Sequence, residues 1–214
     1  MDKCIVFLFL CRGICKAGNV ILQFIYIKLQ LLMTQTELIK QLAATKGKTK
    51  VDKLSMLIKE SQFSLHDLVP ITFHPDKVIA FRAAWMLENV ILNYTGYYIN
   101  DIEYLISNFR EITNPSCQRH YAKIAMHVSS PKMPIEIKER LANIDLEPIV
   151  EQCFDWLIDP DVLIAVKVHA AEALFNMRSR YPWITEELAE QLQYLMKDGS
   201  AAIQARGKKL LSKL

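Results

Sequence analysis

From residue 34 onward, apolar residues recur at steps of three and four. Ile102, Leu105, Ile106 and Phe109 fall at i, i+3, i+4 and i+7 behind Asn100, a spacing that predicts a helix with one buried face. Ile149, Cys153 and Leu157, paired with Val150, Phe154 and Ile158, predict another helix with a broader apolar face. Thr185 reads as the cap of a third, carrying Leu188, Leu192 and Leu195. Thr34, with Glu37 three residues on and then Leu38, Ile39 and Leu42, has the pattern of a capping box. Gly47 and four lysines, Lys46, Lys48, Lys50 and Lys53, divide that helix from the next, expected at 51–60. The segment 129–134, with prolines at both 131 and 134, reads as a loop, and no stretch alternates as a strand would.

A longer period lies over the short one. His74-Pro75, Asn114-Pro115 and Asp159-Pro160 each precede a strongly helical segment. Proline suits a first helical position because its missing N–H has no partner there, and Asn or Asp before it can cap the exposed amides. The prolines are 40 and 45 residues apart, Asp198-Gly199 lies 39 beyond the last, and Thr34 lies 41 before the first. A repeat of about 40–47 residues with two helices per unit is the mark of a helical solenoid.

After each start a finer pattern follows. Asp159-Pro160 leads to Val166-Lys167, Ala170, Ala173 and Leu174; His74-Pro75 leads to Phe81-Arg82, Ala84 and Leu87. Asn114-Pro115 leads to Arg119, Ala122 and Ala125, and Asp198-Gly199 to Ala205-Arg206 and Leu210. These residues resemble the HEAT-repeat family (HEAT/armadillo-like α-solenoids) over 34–214. The resemblance implies an all-α fold, a right-handed α-α superhelix of about four helix pairs. It also implies a concave groove lined by the second helix of each pair, the usual seat of a partner segment. Polar positions on those helices, Arg82, Glu88, Arg119, Lys123, Lys167 and Glu172, are therefore the candidate partner-binding residues. The Arg and Lys at the family position have a structural rival role, tying one repeat to the next through the preceding Asp.

Composition agrees with helices: 51% of the 214 residues are apolar, enough for a packed core, and six glycines are few for a fold of many tight turns. Charge alters the picture of partners. The net charge is +3, but residues 33–214 hold 22 basic and 22 acidic side chains. A neutral body lacks the footprint of a protein that wraps a phosphate backbone, which counts against nucleic acid. Residues 1–32 differ from the rest: three of the five cysteines and dense Ile, Leu and Phe, with Arg12, Lys16 and Lys28 cutting the apolar runs too short for a membrane span. The expectation is that 1–32 is upstream sequence outside the working protein, with Met33 as the start and 33–214 as the solenoid domain. The rival is a membrane-touching helix near 19–32, so a membrane partner is expected only if that segment belongs to the protein. Cys117 and Cys153 have neither metal-ligand nor disulfide-framework spacing, which predicts a reducing, cytoplasmic setting.

Sharper chemistry finds little support. Gly47-Lys48-Thr49 lacks the earlier glycine of a phosphate loop, since Leu42 stands there. The five histidines, His66, His74, His120, His127 and His169, include no three at ligand spacing, so no metal or small-molecule cofactor is expected. Trp85, Trp156 and Trp183 could stack a base, and in that respect the chain is similar to helical-repeat glycosylases for alkylated bases; core packing is the plainer reading. Ser129-Ser130-Pro131-Lys132-Met133-Pro134 shares its serines and Met-Pro with the signature loop of the fumarase and adenylosuccinate lyase superfamily but lacks the glycine and asparagine. The expected function is a non-enzymatic module that binds a protein or peptide. A glycosylase-like activity is the alternative and a lyase the remote one.

Overall fold

The computed structural model describes residues 34–44, 48–60 and 63–214, so the expectation for 1–32 and for the turn at Gly47 lies outside the described residues. The described segments are helical. α1 (Gln35–Ala44) and α2 (Lys48–Glu60) precede four helix pairs. In the first, α3 (Leu65–Leu68) runs into a 3-10 turn, Val69–Phe73, and is followed by the long α4 (Lys77–Tyr98). In the second, α5 (Ile102–Ser107) and the 3-10 turn Phe109–Glu111 precede α6 (Pro115–Val128). An additional short helix, α7 (Ile135–Ala142), leads to the third pair, α8 (Glu147–Ile158) and α9 (Ile164–Met177). The fourth is α10 (Ile184–Lys197) and α11 (Ala201–Leu211).

The apolar periodicity locates the core well. Ile102, Leu105, Ile106 and Phe109 are all buried, as are Ile149, Val150, Cys153 and Leu157, and Leu188 with Leu192. Ile158 is the exception, exposed at the last position of α8. Second helices stack in one row: α2 on α4, α4 on α6, α6 on α9, and α9 on α11. First elements form the other row, α3 against α5 and α5 against α8. Ala84, Ala122, Ala125, Ala170 and Ala173 are buried where α4, α6 and α9 meet, so their small size lets the axes approach while Leu and Val fill the layer beside them. Phe109 meets Tyr121 edge to face at 5.1 Å, and the Tyr121 hydroxyl pairs with Thr72 at 2.8 Å, joining two repeats through a satisfied polar contact.

Helix starts are less uniform than the Xaa-Pro pattern predicts. Asn114 caps α6 as expected, accepting from the Ser116 amide, with Pro115 at the first helical position. At α4, however, Asp76 is the cap, accepting from Val78 and Ile79, while His74 accepts from the Asp76 amide one turn upstream. Asp159 ends α8 and accepts from the Asp161 amide, so Asp159-Pro160 forms the turn between helices and α9 begins at Ile164. An aspartate turn and an aspartate cap have the same local sequence preference, which is why the pattern could not separate them. Ser200, not Asp198, caps α11, and Thr185 sits inside α10, whose first residue is Ile184.

Three basic side chains, Arg82 and Lys167 at the family's basic position and Arg180 outside it, bind backbone carbonyls. One guanidinium nitrogen of Arg82 donates to Leu42 and Ala43, both at 2.8 Å, closing the C-terminal end of α1. Arg180, just past α9, does the same for α7, donating to Leu141 at 3.0 Å and Ile144 at 2.6 Å. Lys167 is only 4% exposed and donates to the Leu157 carbonyl at 3.2 Å, tying α9 to α8. Helix C-termini leave four carbonyls without intrahelical partners, and cations suit that negative end. Main-chain oxygens thus take the place of the expected aspartate at Arg82, while Lys167 keeps the pull of Asp159 beside its carbonyl bond.

Candidate functional site

The row of second helices offers the surface on which candidate residues gather. Between α4 and α6 lies an open recess of about 580 Å³ lined by Phe81, Trp85, Glu88, Arg119, His120 and Lys123, with Leu163 at its far edge. Each helix supplies one face: Phe81, Trp85 and Glu88 are one turn apart on α4, and Arg119, His120 and Lys123 share a turn of α6. The His120 ring lies nearly parallel to Trp85, at 6.5 Å and 15°, and 5.2 Å from Phe81. Trp85 is half-buried: it packs against the hydrophobic core, as the sequence predicts, and also lines the recess. Trp156 is core as expected: with the Gln152 amide nitrogen turned to the Phe109 carbonyl at 3.3 Å, the Gln152 oxygen accepts from the indole at 3.1 Å.

Glu88 anchors the recess floor. Its Oε2 lies 2.6 Å from His120 Nδ1, and its Oε1 accepts from the Lys123 ammonium. Burial by itself would raise the carboxyl pKa, but hydrogen bonds and positive charge from His120 and Lys123 outweigh that and hold it below the usual carboxylate value. An ionised carboxylate only accepts, so the imidazole carries a proton on Nδ1.

A second recess of about 510 Å³ follows along the row, between α6, α9 and α11, lined by His127, Lys132, Glu172, Phe175, Lys209 and Lys213 among others. Glu172 pairs there with Arg206. Thr95 donates to the Ile91 carbonyl at 2.5 Å, leaving its oxygen to accept from His127 Nε2 at 3.0 Å, and burial lowers the His127 pKa. His169 on α9 is held neutral to about pH 4 by burial and by Lys123, Arg119 and Arg206, against an opposing pull from Glu88. Its Nδ1 is buried without a hydrogen-bond partner among the described residues.

The six sequence-predicted residues therefore divide. Glu88, Arg119 and Lys123 come together in the first recess, Glu172 lines the second, and Arg82 and Lys167 are engaged with backbone carbonyls elsewhere. Sequence reasoning did not bring Phe81, Trp85 and His120 together in one recess. The signal available was the i, i+3 spacing of Trp85 with Glu88 and of His120 with Lys123.

The segment 129–134 is a loop as expected; in it the Ser130 hydroxyl accepts from the Lys132 amide and Met133 is buried. Burial raises the Cys117 thiol to about 11 and pushes Cys153 up further, so neither is a ready nucleophile. Among the described residues no three His, Cys, Asp or Glu side chains converge to hold a metal ion. No helix among them is long and apolar enough to cross a membrane.

Paired helices and second-helix stacking recur along the chain, and the HEAT repeat domain family matches residues 38–214. The chain belongs to the HEAT repeat family. Curated proteins contain no match to it, and neither do solved structures. As a HEAT repeat protein the chain is a helical scaffold, and its second-helix row is the surface that such repeats commonly present to other proteins.

Proposed function

We propose that this HEAT repeat protein is a non-enzymatic protein-binding or scaffold module whose partner seats on the second-helix row at the recess between α4 and α6. The observation that carries the reading is the half-exposed Trp85, flanked by Phe81 and bordered by Arg119 and Lys123. Tryptophan and arginine beside a concave apolar wall are the groups that most often anchor protein interfaces, because one rigid ring brings large contact area with few rotamers to fix. Both Glu88 oxygens are occupied by His120 and Lys123, which favours a role as floor and helix tie over one as a catalytic acid. The partner is expected in the same compartment as a protein with free, buried cysteines, the cytoplasm.

Affinity capture from nuclease-treated lysate with the full chain tests this, run beside Trp85→Ala. A stoichiometric protein retained by the wild type and lost by the variant at unchanged melting temperature supports the reading. Enrichment that disappears with nuclease treatment assigns the recess to nucleic acid instead.

A further inference from the structure

Charge on the second-helix row is lopsided. Along α6, α9, α11 and the 129–134 loop, Arg119, Lys123, Lys132, Arg206, Lys209 and Lys213 face two carboxylates, Glu88 and Glu172, an excess of four positive charges on one face. Because residues 33–214 are balanced overall, this excess is a property of the face and not of the composition. Among the described residues no carboxylate pairs with Arg119, Lys132, Lys209 or Lys213, and all four are exposed. Arg119 and Lys123 on α6 and Arg206 on α11 are near enough to His169 on α9 to lower its pKa together.

We propose that the second-helix face from α4 to α11 recognises an acidic peptide segment, its carboxylates set against Arg119, Lys209 and Lys213 and an apolar side chain entering beside Phe81 and Trp85. The proposal rests on the protein-binding reading above and specifies the chemistry of the partner. A positive face speeds encounter with acidic partners and selects against basic ones. A peptide suits the face better than a phosphate backbone because the unpaired charge is confined to Arg119, Lys132, Lys209 and Lys213, with the apolar Phe81 and Trp85 beside Arg119. A phosphate backbone carries a charge at every nucleotide, whereas an acidic peptide can set acids at those four cations and apolar residues between them.

Fluorescence anisotropy tests this with the full chain and a labelled peptide of about twelve residues, Glu-Glu-Leu repeated. Its Gln-Gln-Leu counterpart and an oligothymidine of similar length serve as competitors. The acidic peptide is expected to bind, to weaken as salt rises, and to bind roughly tenfold more tightly than the glutamine version. Arg119→Glu, and separately the pair Lys209→Glu and Lys213→Glu, should each weaken it by roughly tenfold without moving the melting temperature. Lys40→Glu, the same charge change on α1, should leave it unaltered. No binding at low ionic strength, equal binding of the glutamine peptide, or tighter binding of oligothymidine overturns the proposal. Should Trp85→Ala abolish partner capture while the charge reversals leave it intact, the protein-binding reading stands and the acidic class of partner falls.

Discussion

The Glu88 carboxylate on α4 and the His120 imidazole on α6 meet at 2.6 Å across 32 positions of sequence, with Lys123 on the same carboxylate from one turn further along. Glu88 is 7% exposed, so this cluster is a helix-to-helix tie whose carboxylate is largely screened from water. Glu88→Gln keeps the shape and removes the charge. It is expected to lower unfolding free energy by about 1–3 kcal/mol in urea titrations, since His120 and Lys123 each lose a charged acceptor. Glu88→Ala should cost more, because it also opens space beneath Trp85.

The same groups set a pH dependence whose sign can be worked out. His169 and His127 have folded pKa values below the unfolded value near 6.5, so the unfolded chain binds protons first as pH falls. Their contribution is fully present above about pH 6.5 and is lost as pH falls, that of His169 toward about pH 4, where it protonates in the folded state. Glu88, depressed from its ordinary value, contributes above about pH 4.5 and loses that contribution below it. Stability by urea titration should therefore fall steadily from pH 7 to pH 4, and His169→Gln should flatten the upper part of the slope. Histidine NMR titration checks the cause: the His169 ring should not shift until well below pH 6.

Arg82→Ala is expected to destabilise the array by about 1–2 kcal/mol, because two charge-assisted bonds to the last carbonyls of α1 are lost together. Amide exchange should accelerate in α1 before it does in α6. Arg180→Ala should act likewise on α7, raising exchange over 135–144. Any loss of partner binding by Arg82→Ala is expected to track its loss of stability, which separates a helix tie from a contact residue.

Lys167→Met should be far milder, within about 1 kcal/mol of wild type, although Lys167 is the more buried of the two. Burial already pushes the Lys167 pKa down, and Asp159 only partly offsets that, so removing the charge removes a desolvation cost along with one hydrogen bond. Thermal melts of the two variants side by side give the comparison.

Gly96 lies inside α4, and a methyl added there would meet Ile137 at 3.5 Å, an ordinary contact with α7. Gly96→Ala should therefore stabilise by about 0.5–1 kcal/mol, through lower unfolded-chain entropy and better helix propensity. The measurement is a rise in the urea midpoint at unchanged slope.

The order of helices, the stripes of α5 and α8, the Asn114-Pro115 start and the forty-residue period were legible in the sequence because each depends on residues within a turn or two of one another. Local signals ran out where one residue type serves two purposes: Asp159 makes a turn, Asp76 a cap, and Thr185 neither, although all three look like starts. The recess was illegible for a different reason. Trp85 on an apolar stretch has the sequence signature of a core residue and does pack against the core, but only the tertiary structure brings it beside Arg119, His120 and Lys123 of α6 at an open recess. Candidate polar residues were separable only in three dimensions too. Arg82 finds carbonyls forty residues back and Lys167 finds one ten residues back, while Arg119 finds none and stays exposed. Periodicity determined which face of each helix is apolar, because the peptide backbone repeats every 3.6 residues whatever surrounds it. Which polar groups tie the repeats together and which remain for a partner was decided by tertiary packing, because that depends on what the neighbouring helix brings within hydrogen-bond reach.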